Sequence, residues 1–418
     1  MPFAAALSEH PLATHATGEV IGSLLEQIGP APDVVVVFVT GAHLGALDDI
    51  CAAVRATLTP GALIGTSVVS LIGGPREVEE QAAVSAWAGR VATATAVRLE
   101  ARPLVDPDHQ RDHADHDERG PQAEVDGQAA GHVGFLGLPE HAGRPGSTLL
   151  LMADPSTFPA EAFLDAAAVQ LPGLTVIGGL APASARQGAN RLAVDDQVHT
   201  DGAVGLLLGP EWPVATVVSQ GCRPVGDPFT VTRAERSMLY EIAGTPALEK
   251  LRDVVAELGA DDRSLAAQGL HVGRVIDDHQ IDPGRGDFLI RNVRGGDPET
   301  GAIAVADQIE VGATVQFQVR DAISADEDLR HLLAGTAADG ALVFTCNGRG
   351  TRLFDVADHD AAAVGRALGP VPLGGMFAAG EFGPVGGGNF VHSFAASLAL
   401  FRSREPGSAA FPGPVPGR

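Results

Sequence analysis

Residues 33–72 read DVVVVFVTGAHLGALDDICAAVRATLTPGALIGTSVVSLI. The opening β-branched run has no polar alternation, the pattern of a strand buried on both faces. After a short loop, Leu47, Ile50, Val54 and Leu58 recur at spacings of three and four, which predicts an amphipathic helix, and Pro60-Gly61 stops it. A second short strand runs through Ile64-Gly65-Thr66. Strand, helix and returning strand make a βαβ crossover, so the chain is read as an α/β protein.

The same grammar returns twice. Residues 147–182 give STLLLMADP, the helical EAFLDAAAVQ, Pro172-Gly173 and LTVIGGLAP; residues 340–383 give GALVFTCNGRG, a helix within HDAAAVGRAL, and VPLGGMFAAGEFG. A further strand-like segment follows each, at 82–89, 202–209 and 392–401. The fold class expected is therefore α/β to α+β: two related layered domains of repeated βαβ–β units. One reading of the repeat is a packing solution used three times. The other concerns ligands, which in α/β sheets sit beyond the carboxyl ends of strands. On that reading the loops at Thr40-Gly41, Ala153-Asp154-Pro155 and Cys346-Asn347-Gly348-Arg349 line pockets, with the glycine pairs Gly178-Gly179 and Gly374-Gly375.

Between the repeats the composition changes. Residues 102–132 have almost no apolar content and read as a solvated insertion; their His and Asp residues are too irregularly spaced for a dedicated metal site. Leu239, Ile242, Ala247, Leu248, Leu251, Val254, Val255 and Leu258 suggest two helices broken at Gly244-Thr245-Pro246, a connector over 231–260. Short strand-like runs then alternate with turn signals such as Asp282-Pro283-Gly284, predicting an antiparallel region that opens the second domain. The division expected is 1–230, the connector 231–260, a ligand-binding domain 261–402, and a disordered tail 403–418.

Composition narrows the function. A length of 418 residues exceeds one ordinary core, and 45% hydrophobic content suffices to build two. The net charge of −24 repels phosphate backbones and anionic lipid, so neither nucleic acid nor a membrane is an expected partner. Lys250 is the sole lysine, which excludes a Gly-Lys-Ser/Thr phosphate loop. The N-terminal MPFAAALSEHPL reads as neither signal peptide nor anchor, and Cys51, Cys222 and Cys346 lie far apart without metal or disulfide spacing. A reducing cytoplasm and no cofactor are expected.

The chain resembles the FIST family. SQGCRPVGDPFTVT at 219–232 with the following PALEKL resembles the end of the family's first domain. The stretch from FLIRNVRGGDPETG to VQFQVRDAISADEDL resembles the start of its second; FTCNGRGTRLFD with His359-Asp360, then PLGGMFAAGEFGPVGGGNFVHSFAASLALF, resembles its end. Phe382 and Ser393 depart slightly from the family pattern. The resemblance spans roughly residues 30–402 and implies a stand-alone sensory module of signal transduction that binds a small ligand, with amino acids suggested.

Several residues are candidates for that ligand. The Arg349 guanidinium, flanked by glycines, suits a bidentate carboxylate, or else pairs with Glu381 or Asp355 and locks loops. Glu381 is the one charge in its glycine-rich run; it receives a ligand ammonium or caps backbone N–H groups. Cys346 is a small buried hydrophobe or a thiol tuned toward the thiolate. His359 and His392 are potential bases, although His359-Asp360 equally reads as a helix cap and His392 as a satisfied core histidine. Arg291, Arg320 and Asp321 have structural pairing as their default. The ligand set is Cys346, Asn347, Arg349, Gly374, Gly375, Glu381, His392 and Arg291, with Cys346, Asn347, Arg349, Gly375 and Glu381 expected around one cavity. Two alternatives stay open: an enzyme using Cys346 as nucleophile with His359 or His392 as base, and an adaptor presenting a surface to a protein partner.

Overall fold

The computed structural model describes residues 2–91, 93–103, 133–184, 186–277 and 283–403. The expected insertion and tail lie almost wholly outside them. The fold is mixed α/β, and three stretches of the chain build the same local topology. In each, a central strand pairs in parallel with the strand after its helix and antiparallel with a later strand. The central strands are Val34–Thr40, Thr148–Ala153 and Gly340–Cys346. Their parallel partners are Ala62–Val68, Thr175–Leu180 and Leu373–Ala378. The antiparallel ones are Val84–Gly89, Ala203–Leu208 and Ala395–Phe401. A further strand pairs on that side of each sheet: Phe3–Ser8, Ala94–Pro103 and Ala215–Gln220, with Val133–Leu136 lying beyond Ala94–Pro103 in the second.

The other edge of each sheet is completed by a hairpin from a different unit. Leu71–Gly73 and Arg76–Val78 of the first unit pair onto Leu373–Ala378 of the third. Glu381–Val385 and Gly388–His392 of the third pair onto Thr175–Leu180 of the second. Leu192–Val194 and Gln197–His199 of the second pair onto Ala62–Val68 of the first. The exchange is cyclic.

The alternation of strand side chains explains why all three sheets need two covers. Val34, Val36 and Phe38 enter a central core shared with Leu150, Met152, Leu342 and Phe344. Val35, Val37 and Val39 face the helices Ala13–Ile28 and Leu47–Leu58, where Ile50, Val54 and Leu58 are buried as their spacing requires. The glycines of the returning strands serve close approach: a Cβ on Gly375 would lie 2.0 Å from the Val343 carbonyl, and one on Gly178 1.9 Å from that of Leu151.

Residues 222–320 interrupt the third unit with an antiparallel, barrel-like sheet. Cys222–Glu235 pairs through its first half with Thr314–Arg320 and through its last with Met238–Ile242, closing the sheet on itself. The stretch read as a helical connector holds the strand Met238–Ile242 before the helices Ala247–Glu257 and Ala260–Gln268. Boundaries drawn at 230 and 260 cut through this barrel. Among the described residues no helix is long and apolar enough to cross a membrane.

Candidate functional site

The crossover that leaves Gly340–Cys346 carries a buried polar network, where the third unit meets the barrel. The chain turns sharply there: Arg349 N–H donates to the Cys346 carbonyl at 2.7 Å, and Asn347 N–H to that of Ala378 at 2.8 Å. The turn sends the Arg349 side chain inward, where it is 0% exposed. Its partner is Asp360, in the first turn of the helix His359–Leu368. Nε and Nη2 of Arg349 each donate to one Asp360 oxygen at 2.8 Å. Thr345 Oγ1 donates to the same carboxylate at 2.6 Å, and His359 Nδ1 lies 3.0 Å from it. Burial alone would raise the Asp360 carboxyl, but Arg349 outweighs it and holds the group well below the usual carboxylate range. The pairing anticipated for Arg349 was Glu381 or Asp355; Asp360 takes the guanidinium fork instead, which leaves only Nη1 without a partner among the described residues.

The exchanged hairpin of the first unit closes one side. Glu77 Oε1 accepts from Ala361 N–H at 2.8 Å, and Asp358 Oδ1 accepts from Glu77 N–H at 2.6 Å. Burial, then repulsion from Asp360, pushes the Glu77 carboxyl up to about 8. On the other side stands Glu381, 0% exposed, with Oε2 accepting from Ala395 N–H at 3.1 Å and Oε1 unpartnered among the described residues. Burial raises it well above the ordinary carboxylate range, and the Cys346 thiol lies against it. Burial and that neighbouring acid push Cys346 up to about 12. Both effects favour the thiol over the thiolate. His359 does not serve it as a base, because its ring nitrogens face Asp360 and Asp326, each at 3.0 Å; His392 Nε2 bonds the Gly383 carbonyl.

The barrel contributes Arg320. Asp321, next in the chain, caps the helix Ala322–Leu333 and pairs with Arg223. Arg320 is left to donate to the Gly348 carbonyl and to sit 5.1 Å over the Phe394 ring. It has no carboxylate partner, and its Nε no hydrogen-bond partner, among the described residues. Phe394 itself holds a φ of 61°, a left-handed conformation that costs a bulky side chain energy and persists only where surroundings enforce it. Its carbonyl accepts from Gly221 N–H at 2.8 Å, where a Cβ would come within 2.4 Å of that oxygen. Cys346, Asn347, Gly348, Arg320 and Phe394 are half-buried and form the rim.

Cys346, Asn347, Arg349, His359 and Glu381 are thus brought together. Gly374 and Gly375 sit within the sheet, paired with Gly73 and Ile72, and a Cβ on Gly374 would meet Trp87 at 2.9 Å. His392 is buried in the exchanged hairpin, and Arg291 ties the barrel to Asp307, Glu161 and the Val391 carbonyl. Surface clefts of about 510 and 380 Å³ open on the second unit, and none of the five residues expected around one cavity lines either. Arg320, Asp360, Thr345, Glu77 and Cys222 complete the cluster. The sequence signal for Asp360 was its place beside His359, and for Arg320 its place at a strand end.

Comparison of the three units singles out the third. By register, Val343, Leu151 and Val37 face Gly375, Gly178 and Gly65, so Cys346, Asp154 and Thr40 hold equivalent positions. Asp154 is satisfied by Ser156 N–H, Thr157 Oγ1 and Asn190 Nδ2, and Thr40 Oγ1 by the Ala83 backbone. Near Cys346, buried polar atoms of Arg349, Glu381, Glu77 and Arg320 lack partners among the described residues, and in the second unit Arg98 Nε and His199 Nε2 lack them too.

Two family models match this chain: the FIST N domain over residues 33–245 and the FIST C domain over 247–384. Their boundary falls inside the barrel. The chain is 39% identical over 402 residues to the uncharacterized protein Rv0628c of Mycobacterium tuberculosis, which covers 94% of this chain and 98% of the relative. It is 39% identical over 398 residues to the uncharacterized protein Mb0898c of Mycobacterium bovis, with 94% and 96% covered.

Proposed function

The chain belongs to the FIST family, whose domains are associated with sensory and signal-transduction roles, and from that premise we propose that it is a cytoplasmic sensor of a small molecule. The ligand enters at the junction of the third unit with the barrel, and Arg320, Arg349 Nη1, Cys346, Asn347 and Glu381 surround it. The supporting observation is the set of unpartnered buried polar atoms there, at a strand end whose counterparts in the other two units, Asp154 and Thr40, are satisfied. Buried donors and acceptors that fold without partners cost free energy, and a ligand that supplies those partners recovers it. The barrel strand ending at Arg320 and the loop at Gly348 are joined through the rim, so occupancy alters how the barrel seats on the sheet, a change that a protein signalling partner reads.

A thermal-shift screen of small carboxylates, amino acids, amides and amines tests this. A ligand at a hundred times its dissociation constant stabilises the fold by about 2.7 kcal/mol. For 418 residues the unfolding entropy of about 0.9 kcal/mol per kelvin makes that a rise of about 3 °C. We expect the shift in the wild type and its loss in Arg320→Gln. If nothing in the screen shifts the wild type, or the shift survives Arg320→Gln undiminished, the reading is wrong.

A further inference from the structure

The charges around the site limit what can bind. From the crossover come Arg349 and Cys346; from the helix after it, Asp360 and His359; from the exchanged hairpin, Glu77. The strand after the glycines brings Glu381, and the helix Ala322–Leu333 brings Asp328, which accepts from Ser219 Oγ and Gln220 N–H. The barrel brings Cys222, His271 and Arg320, with the His271 ring 4.4 Å from that of Phe394.

Arg349 and Asp360 cancel through two hydrogen bonds, so Arg349 has little charge to offer a ligand. Burial, then Arg320, holds the His271 imidazole down at about 4, so it stays uncharged. Arg320 is the one cation of the cluster without a carboxylate among the described residues, in a chain with 24 surplus negative charges. Glu381 is the opposite case, a fully buried carboxyl supported by the Ala395 N–H and the Cys346 thiol, with Arg349 near but committed to Asp360. Ionising it there would cost several kcal/mol unless a cation were bonded to it. An α-amino acid would require that ionisation to receive its ammonium group. An acid without an ammonium would not.

Resting on the sensor reading above, we propose that the ligand is a small monoanionic organic acid with no ammonium group, of the 2-oxo or 2-hydroxy acid class. Arg320 holds its carboxylate, and Glu381 is an uncharged hydrogen-bond donor to its second oxygen function. Arg349 Nη1 and the Cys346 thiol supply further polar contacts between them.

Calorimetry on the full chain with matched sets tests the proposal: for methyl, isobutyl and benzyl side chains, the 2-oxo acid, the 2-hydroxy acid, the α-amino acid and the neutral 2-hydroxy amide, with inorganic phosphate alongside. We expect an oxo or hydroxy acid to bind at least about tenfold more tightly than its amino counterpart. Glu381→Gln, which keeps an uncharged donor, should retain that affinity within about threefold, whereas Arg320→Gln should lose at least about tenfold. Tighter binding of the amino acid, equal binding of the neutral amide, or binding of phosphate alone overturns this proposal and leaves the sensor reading standing. Loss of all binding in a folded Glu381→Gln variant overturns it as well. Silence across every class refutes both. The wild-type protein alone separates these outcomes even if a variant fails to fold.

Discussion

Replacing Arg349 by methionine removes a guanidinium that is 0% exposed and keeps a side chain of similar reach. Asp360, 1% exposed, then keeps Thr345 Oγ1 and His359 Nδ1 but loses two bonds of 2.8 Å and the charge opposite it. Breaking a buried pair from one side costs about 3–5 kcal/mol because the remaining charge is uncompensated. With an unfolding entropy of about 0.9 kcal/mol per kelvin for 418 residues, the melting temperature should fall by about 3–6 °C. The pH dependence carries the sign. In the wild type, Asp360 is held below its ordinary value, so its contribution is full above the unfolded pKa of 3.8 and lost as pH falls through the folded one. Without Arg349 the carboxyl titrates higher, so the deficit should be largest at neutral pH and shrink toward pH 4. Asp360→Asn in the methionine background should restore part of the loss. Circular-dichroism melts at pH 4 to 8 measure all three proteins. A loss below about 1 °C, roughly 1 kcal/mol, or a double variant no better than the single, would refute the reasoning.

Three further outcomes follow from named contacts. The Glu77 carboxyl is raised from 4.5 to about 8, so the native state holds its proton more tightly and stability falls as pH rises from 4.5 to 8; Glu77→Gln should flatten that decline in melts between pH 5 and 9, and parallel profiles would contradict it. Cys51, Cys222 and Cys346 are each pushed up to about 12, largely by burial, so iodoacetamide at pH 8 should label the native protein slowly and the denatured one at all three sites; rapid native labelling of Cys346, half-buried at the rim, read by mass spectrometry, would show that its thiol is not held protonated against Glu381. Gly375→Ala would drive a Cβ to 2.0 Å from the Val343 carbonyl and should abolish soluble expression or lower the melting temperature sharply. Gly365→Ala, in an exposed helical turn with nothing within 4 Å, should stabilise by roughly 0.5–1 kcal/mol, and the reverse order of the two would show that the strands do not meet there.

The fold class was legible because the run at 34–39 has one physical solution, a strand covered on both faces. The hairpin exchange was not, because strands of three residues such as Leu71–Gly73 have too little periodicity to announce a partner far along the chain. Leu239 and Ile242 mimic helical spacing, but their strand folds back on the end of Cys222–Glu235 as a tight hairpin and pairs with Ala302–Val305, about 60 residues on, a contact that no local propensity reports. Arg349 and Glu381 stood out as charges among glycines and apolar residues. The partner of Arg349 did not: His359-Asp360 read as a cap, and only the placement of the helix turns Asp360 toward the loop. Arg320 and Asp321 read as structurally paired residues; successive residues of an extended chain point to opposite sides, and the two went to different partners.

The cyclic exchange of hairpins bears on biosynthesis. The hairpin ending its first strand at Gly73 waits for a strand that begins at Leu373, 300 residues later. At roughly 5–20 residues per second the ribosome needs about 15–60 s to deliver it. Throughout that interval the first unit carries a short, fully apolar edge with no neighbour, the kind of edge that recruits other chains. The nascent protein is therefore most exposed to aggregation just before the strand at Leu373 emerges, and a chaperone that shields the stretch around 71–78 should raise the yield of folded protein more than one acting after release.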